Sequence, residues 1–232
     1  KKKQSEVEEE EYNDFYTDKF YDYEKPLKVI KTEVEGLTSY SALLFIPSHA
    51  PFNYYTKEYE KGLQLYSRGV MIMDKCSEII PDYFSFAKGV VDSEDIALNI
   101  SRETMQSNHQ IRLIAKNIEN KIKKELEAML KDEREKYEEF YKAFGMQFKH
   151  GIYSSYGADK DKLEDLLLFY SSHKDKLSTI DEYISRMKED QKDIYYASGD
   201  TISNIKMMPQ VESILDKGYE VLYLTEYLDE FV

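Results

Sequence analysis

Ile111, Ile114, Ile118, Ile122, Leu126 and Met129 recur at steps of three and four, and no other feature of the chain restricts its fold so tightly. Side chains spaced this way line one face of a single long α-helix, and a stripe of that length has to be buried against another layer. Tyr137, Phe140, Tyr141, Phe144 and Phe148 repeat the period after a charged break at residues 132–135, so a second helix is expected to share the core. Gly145, Gly151 and Gly157 then read as punctuation of a connector.

Upstream the period changes to two. Residues 27–34 (LKVIKTEV) alternate, with Leu27, Val29 and Lys31 on one side, and residues 40–47 (YSALLFIP) form a nearly continuous apolar run closed by proline. Such a run is expected as a strand covered on both faces. A polar, aromatic stretch follows, then a third strand over residues 63–74. Three strands with helical connections imply a layered α–β subdomain. The first dozen residues have no apolar period and read as loose as far as Tyr12 or Phe15.

The last third starts afresh. Thr179 stands three residues before Glu182, the pattern of a capping box that opens a helix. Residues 193–199 read as a strand, residues 201–218 as a helical segment that Pro209 either kinks or restarts, and residues 219–226 as another strand. Strand, helix and strand in that order, with Gly218 just past the helix, indicate a parallel pair. The expected fold is α/β (α+β): a large αβα subdomain over 1–130, a helical connector over 131–172 and a small αβα subdomain over 173–232.

A chain of 232 residues buries roughly 70–75% of its unfolded surface, so it needs no staples. The net charge of −13 argues against nucleic acid as a partner. Lys121, Lys123 and Lys124 are interleaved with Glu119, Glu125 and Glu127, as on a solvated helix face. No apolar run approaches the ~18 residues of a membrane span, so a soluble protein is expected. Lys1, in place of a methionine, points to a piece of a longer protein. The single cysteine, Cys76, has apolar neighbours Ile72, Ile79 and Ile80 and is read as a core residue of a reducing, cytoplasmic compartment. His49, His109, His150 and His173 lack ligand spacing, so no metal site is expected. There is no Gly-rich phosphate loop, GxSxG or HExxH.

Residues 89–106 (GVVDSEDIALNISRETMQ) stand apart. Asp92, Glu94 and Asp95 suit loop and capping chemistry more than acid–base work. Asn99 and Ser101 are N-cap types, so a helix is expected to start at Ser101 or Arg102, with Arg102 and Gln106 on one face. A cation at a helix N-terminus is unfavourable by about 0.3–1 kcal/mol. Two readings stay open: Arg102 pairs with Asp92, Glu94 or Asp95, or it awaits an arriving anion such as a phosphate.

The string FAKGVVDSEDIALNISRETMQ (residues 86–106) closely resembles the signature of the middle domain of the ninety-kilodalton heat-shock chaperones. ALLFIPSHAPF, LYSRGVMIMDKC, IPDYFSFAKGVVDSED, EYISRMKEDQKDIYY and KGYEVLYLTEYLDE extend the likeness in order across residues 12–232, with the bacterial cytoplasmic branch most similar. The resemblance implies that the arginine of the SRE motif, Arg102, contacts the γ-phosphate of ATP. That ATP, with its Mg2+, is bound by a preceding N-terminal domain. Gln106 supports the same loop, Asn99 joins Arg102 at the nucleotide, and Leu98 and Ile100 form an apolar docking surface. It also implies client proteins, a DnaK-type co-chaperone system and a homodimer formed through a C-terminal domain. On this reading the chain binds no nucleotide and is no enzyme alone, but an accessory to the ATPase of the whole chaperone. The alternative is a protein-interaction scaffold with no nucleotide role. In the family a tryptophan near the N-terminal edge serves client contact; this chain has none, and Phe52, Tyr54 and Tyr55 offer an aromatic substitute.

Overall fold

The computed structural model describes residues 7–98 and 108–232, in two units, Lys1–Phe144 and Gly145–Val232. The first unit is built on β1 (Lys28–Val34), β2 (Tyr40–Ile46), β3 (Leu63–Ser67), β4 (Val70–Cys76) and β5 (Lys88–Asp92), in the order β1-β2-β5-β3-β4. β2 lies between antiparallel neighbours, with Ile30 opposite Leu44 and Leu44 opposite Gly89. β3 joins β5 in parallel.

Alternation sorts the side chains to two faces. Ile30, Ala42, Leu44, Leu65 and Val91 are buried on the inner face. On the outer face Phe45 packs with Tyr12 and Tyr16 of α1 (Glu9–Phe20), joined by Val29 and Leu43. The apolar run of β2 is thus covered on both sides, as expected. The long stripe lies on α2 (His109–Asp132), and each of its six members is at most 1% exposed. α3 (Arg134–Ser154) follows, and its Phe140 ring meets Phe86 at 5.0 Å between centroids.

Four expectations are corrected. Residues 9–20 form a helix instead of a loose end: Glu9, Glu10 and Glu11 occupy its first turn, where the helix dipole favours anions, and Tyr12 and Tyr16 supply the packing. Residues 63–74 do not form one strand. Arg68 and Gly69 take φ of 51° and 79° and fold the stretch into the β3–β4 hairpin, as a primed turn demands. β5, unforeseen, fills the middle of the sheet, so the strands are mostly antiparallel and number five instead of three. Gly145 and Gly151 lie inside α3, where helix packing overrides their weak propensity.

The second unit continues from α3 through α4 (Lys160–Leu163) to β6 (Phe169–Ser171), β7 (Lys176–Ser178), α5 (Ile180–Arg186), β8 (Tyr196–Ser198), α6 (Ile202–Lys206), α7 (Pro209–Asp216) and β9 (Leu222–Leu224). The sheet order is β7-β6-β9-β8, with β8 and β9 parallel as read from the sequence. Thr179 Oγ1 accepts from Glu182 N (3.1 Å) and Glu182 Oε2 accepts from Thr179 N (2.9 Å), completing the capping box. Pro209 begins α7, the position at which its missing N–H costs nothing. Ile205, Val211, Val221 and Tyr223 form the core beneath α6 and α7. The β6–β7 hairpin escaped the sequence reading.

Buried charges here are all paired. Lys149, 3% exposed, donates to Glu226 and Asp229 at 2.5 Å each. Arg186 grips Glu220 through Nε (2.9 Å) and Nη2 (2.8 Å), while Ser171 Oγ donates to the same carboxylate at 2.5 Å. Burial opposes the charged form of Glu220, but the bonds from Arg186 and Ser171 prevail and hold its carboxyl below the usual range. The resulting stability is present above that range and is lost as pH falls through the folded value. The gap in melting temperature between the wild-type chain and Glu220→Gln is therefore expected to close as pH drops below about 4.3, measured by thermal scans from neutral to acid pH.

A Cβ at Gly89 would stand 2.4 Å from Leu43 O and 2.9 Å from Leu44 Cα. Gly89→Ala is expected to destabilise the first unit by about 1–3 kcal/mol, seen as a lower urea midpoint.

Candidate functional site

β5 leads towards the segment that carries Asn99, Arg102 and Gln106, and the residues just past the strand are held by short polar bonds. Asp92 Oδ1 accepts from Gly69 N at 3.1 Å. Ser93, buried, donates its N–H to Tyr66 O (3.1 Å) and its hydroxyl to Ser39 O (2.7 Å). Asp95 Oδ2 accepts from Ser39 N at 2.6 Å, and Asp95 N donates to Ser93 Oγ at 3.3 Å. Ser67 Oγ donates to Ile96 O at 2.6 Å, over a buried Ile96 side chain. Ser and Asp suit this work because their short side chains bond to backbone groups where a strand gives way to a turn.

On the far side, Asn108 Oδ1 accepts from Ile111 N at 3.0 Å and caps α2. Residues 92–96 and the start of α2 thus form two fixed posts, one tied to the ends of β2 and β3, the other to the central helix. Asn99, Arg102, Gln106 and Ile100 lie outside the described residues, as does the helix start expected at Ser101 or Arg102; the described helix begins at His109. Leu98, at the edge of the described chain, is 56% exposed.

Other sequence candidates fall into place. Asp92 and Asp95 each accept a backbone N–H, the loop chemistry expected of DSED. Cys76 is buried, and burial with help from Glu78 pushes its thiol up to about 12, which suits a core residue and not a nucleophile. The aromatic substitute surface is corrected in one member. Phe52 is fully exposed and Tyr55 half exposed, but Tyr54 is buried among Tyr55, Tyr59 and Phe144 with its hydroxyl bonded to Ser85 Oγ (2.8 Å). Ser39 and Ser67, which hold the posts, were not singled out from sequence; their partners lie 56 and 29 residues away, and no local pattern announces such pairs. Among the described residues no three His, Cys, Asp or Glu side chains converge as a metal site would require.

The sequence profile described as Hsp90 protein matches residues 1–232. The chaperone protein HtpG of Clostridium botulinum is 58% identical over 231 residues, covering 100% of this chain and 37% of the relative. HtpG of Oceanobacillus iheyensis is 58% identical and that of Halalkalibacterium halodurans 57% identical over the same 231 residues, again 100% of this chain and 37% of each relative. The chain therefore spans little more than a third of the length of these curated relatives. Among solved structures, the middle domain of a heat shock protein from Plasmodium falciparum superposes with a TM-score of 0.83 at 31% identity, covering 99% of this chain and 90% of that one.

Ser67→Ala strands the Ile96 carbonyl without its donor. A loss of about 1–3 kcal/mol is expected, read by thermal denaturation, together with faster amide exchange at Ser93 and Asp95.

Proposed function

The chain belongs to the Hsp90 protein family, as a middle domain, and from that premise we propose that its segment between β5 and α2 serves ATP hydrolysis in a chaperone of which this chain is one part. ATP and its Mg2+ are held by an N-terminal domain that precedes this chain. Arg102 reaches the γ-phosphate, Gln106 supports the loop and Asn99 lies beside the nucleotide. A guanidinium offers a planar fork of donors to phosphoryl oxygens and stays charged at any physiological pH, so it can stabilise charge that develops as the phosphoryl group departs. Leu98 and Ile100 give the approaching domain an apolar surface to close on. The exposure of Leu98 agrees with that role.

The observation that carries this reading is the whole-chain family match, joined to the two posts. A segment pinned at Ser93, Asp95 and Ile96 on one side, and by the Asn108 cap on the other, has a rigid base from which to present a side chain. The same chain offers surface to client proteins, with Phe52 and Tyr55 the exposed aromatics of the loop after β2. In the assembled chaperone the partners are the N-terminal ATPase domain, clients, a DnaK-type co-chaperone and a second subunit joined through a C-terminal domain, in the cytoplasm. Among the described residues no helix is long and apolar enough to cross a membrane.

In the full-length protein, Arg102→Ala is expected to leave ATP affinity roughly unchanged and to slow hydrolysis about 10- to 100-fold, below the full 10³–10⁵ of arginine fingers elsewhere. Steady-state turnover and nucleotide titration measure the two. Unchanged turnover with a lowered melting temperature would instead favour a scaffold in which Arg102 only pairs with its own loop.

A further inference from the structure

The parallel pairing of β3 with β5 ends where Tyr66 stands opposite Asp92. Beyond that point the two strands have no ladder to join them, and three bonds from the β3–β4 hairpin take its place. Tyr66 O accepts from Ser93 N (3.1 Å), Gly69 N donates to Asp92 Oδ1 (3.1 Å), and Ser67 Oγ donates to Ile96 O (2.6 Å). The turn makes the second of these reachable. Arg68 and Gly69 both take positive φ, so the backbone doubles back at once and brings the Gly69 N–H beside the end of β5. A non-glycine residue such as Arg68 keeps that conformation where surrounding bonds over-determine it.

The three ties differ in what they control. Those of Tyr66 and Gly69 hold residues 92 and 93, next to a strand whose place the sheet already sets. Ser67 reaches further along the chain, to Ile96, the last buried residue described before Arg102; Ala97 and Leu98 are exposed. Ser67 is itself fully buried, and its bond to Ile96 is shielded, whereas the Asp95–Ser39 bond is exposed and the Ser93–Ser39 bond half-buried. A shielded hydrogen bond is electrostatically stronger, and water cannot stand in for its donor when the donor is removed.

We propose that Ser67 is a positioning residue for the ATP hydrolysis read above. Its hydroxyl acts through Ile96 and not on the nucleotide: it fixes the carbonyl from which the chain sets out towards Arg102. The inference rests on that reading of Arg102 and adds to it a residue of a different strand.

The test is a double-mutant cycle in the full-length protein, with kcat and KM for ATP measured well below the melting temperature of every variant. Ser67→Ala is expected to lower kcat about three- to tenfold, a fraction of the ~100-fold that a 1 Å misplacement can cost. KM should stay unchanged, because no ground-state contact to the nucleotide is removed. In an Arg102→Ala background the same substitution should cost nothing further, since residues that act as a unit are not additive. A purely structural role would slow both backgrounds alike. Ser67→Cys, close in volume and a weaker donor, should fall between serine and alanine, and it keeps the test intact should Ser67→Ala fold poorly. Equal slowing in both backgrounds, a raised KM, or unchanged turnover in Ser67→Ala would overturn the positioning role while leaving that of Arg102 standing. Wild-type turnover in Arg102→Ala alone would overturn the reading beneath it, and the positioning role with it.

Discussion

Ile114, Ile118, Ile122, Leu126 and Met129 are completely shielded from water because α2 has a sheet to lie on, and that sheet closes only because β5 approaches β2 where residue 89 has no side chain. Burying one such aliphatic group contributes about 1.5–3 kcal/mol, against a net stability of about 5–15 kcal/mol for a whole domain. The stripe and the glycine are therefore one constraint. Weaken the close approach, and the inner face that α2 covers and the strand that leads to the candidate site are destabilised together.

Charge is handled in two ways. On the surface of α2, Lys121 pairs with Glu125 and Lys123 with Glu127 at helical spacing, contacts worth a few tenths of a kcal/mol each. Where charge is buried, the partners are more numerous. Lys149 holds Glu226 and Asp229 in the second unit; in the first, Asp22 takes a 2.5 Å bond from Tyr16 and the attraction of Lys88 at 3.5 Å. These clusters cost desolvation and repay it only while every partner is present. The acidic residues beside the candidate segment also serve the backbone. Asp92 and Asp95 spend acceptor capacity on backbone N–H groups, so part of the acidity of DSED is structural. That bears on the opening alternative for Arg102 without closing it.

Features that repeat over many residues were legible. The α2 stripe, the β2 run, the capping box of α5 and the Pro209 restart all follow from local spacing. What escaped was short or depended on partners far away. β6 and β7 have three residues each, too few for a period to show. The β3–β4 turn places a non-glycine residue, Arg68, at positive φ, which hides it from a search for Asn-Gly. α1 is an aromatic pair on an acidic background. Phe52, Tyr54 and Tyr55 look alike in sequence, yet only packing against Phe144 decides that Tyr54 is the one inside. The candidate site was legible in a different sense. Chemistry alone left Arg102 between two readings, and only the motif leaned to one.

Fold and site also draw on different energies. The core rests on apolar burial summed over two helices and five strands. The posts at Ser93, Asp95 and Ile96 rest on a few hydrogen bonds, each worth about 0.5–1.5 kcal/mol net. Losing one post leaves the first unit folded, because the core margin is larger than one such bond. It does not leave geometry untouched: a misplacement of 1 Å can cost on the order of 100-fold in rate. Under the role proposed for this segment, function is lost long before stability. Substitutions at Ser67, Ser93 and Asp95, whose side chains make these bonds, should therefore separate the two quantities, whereas those in the α2 stripe must move them together.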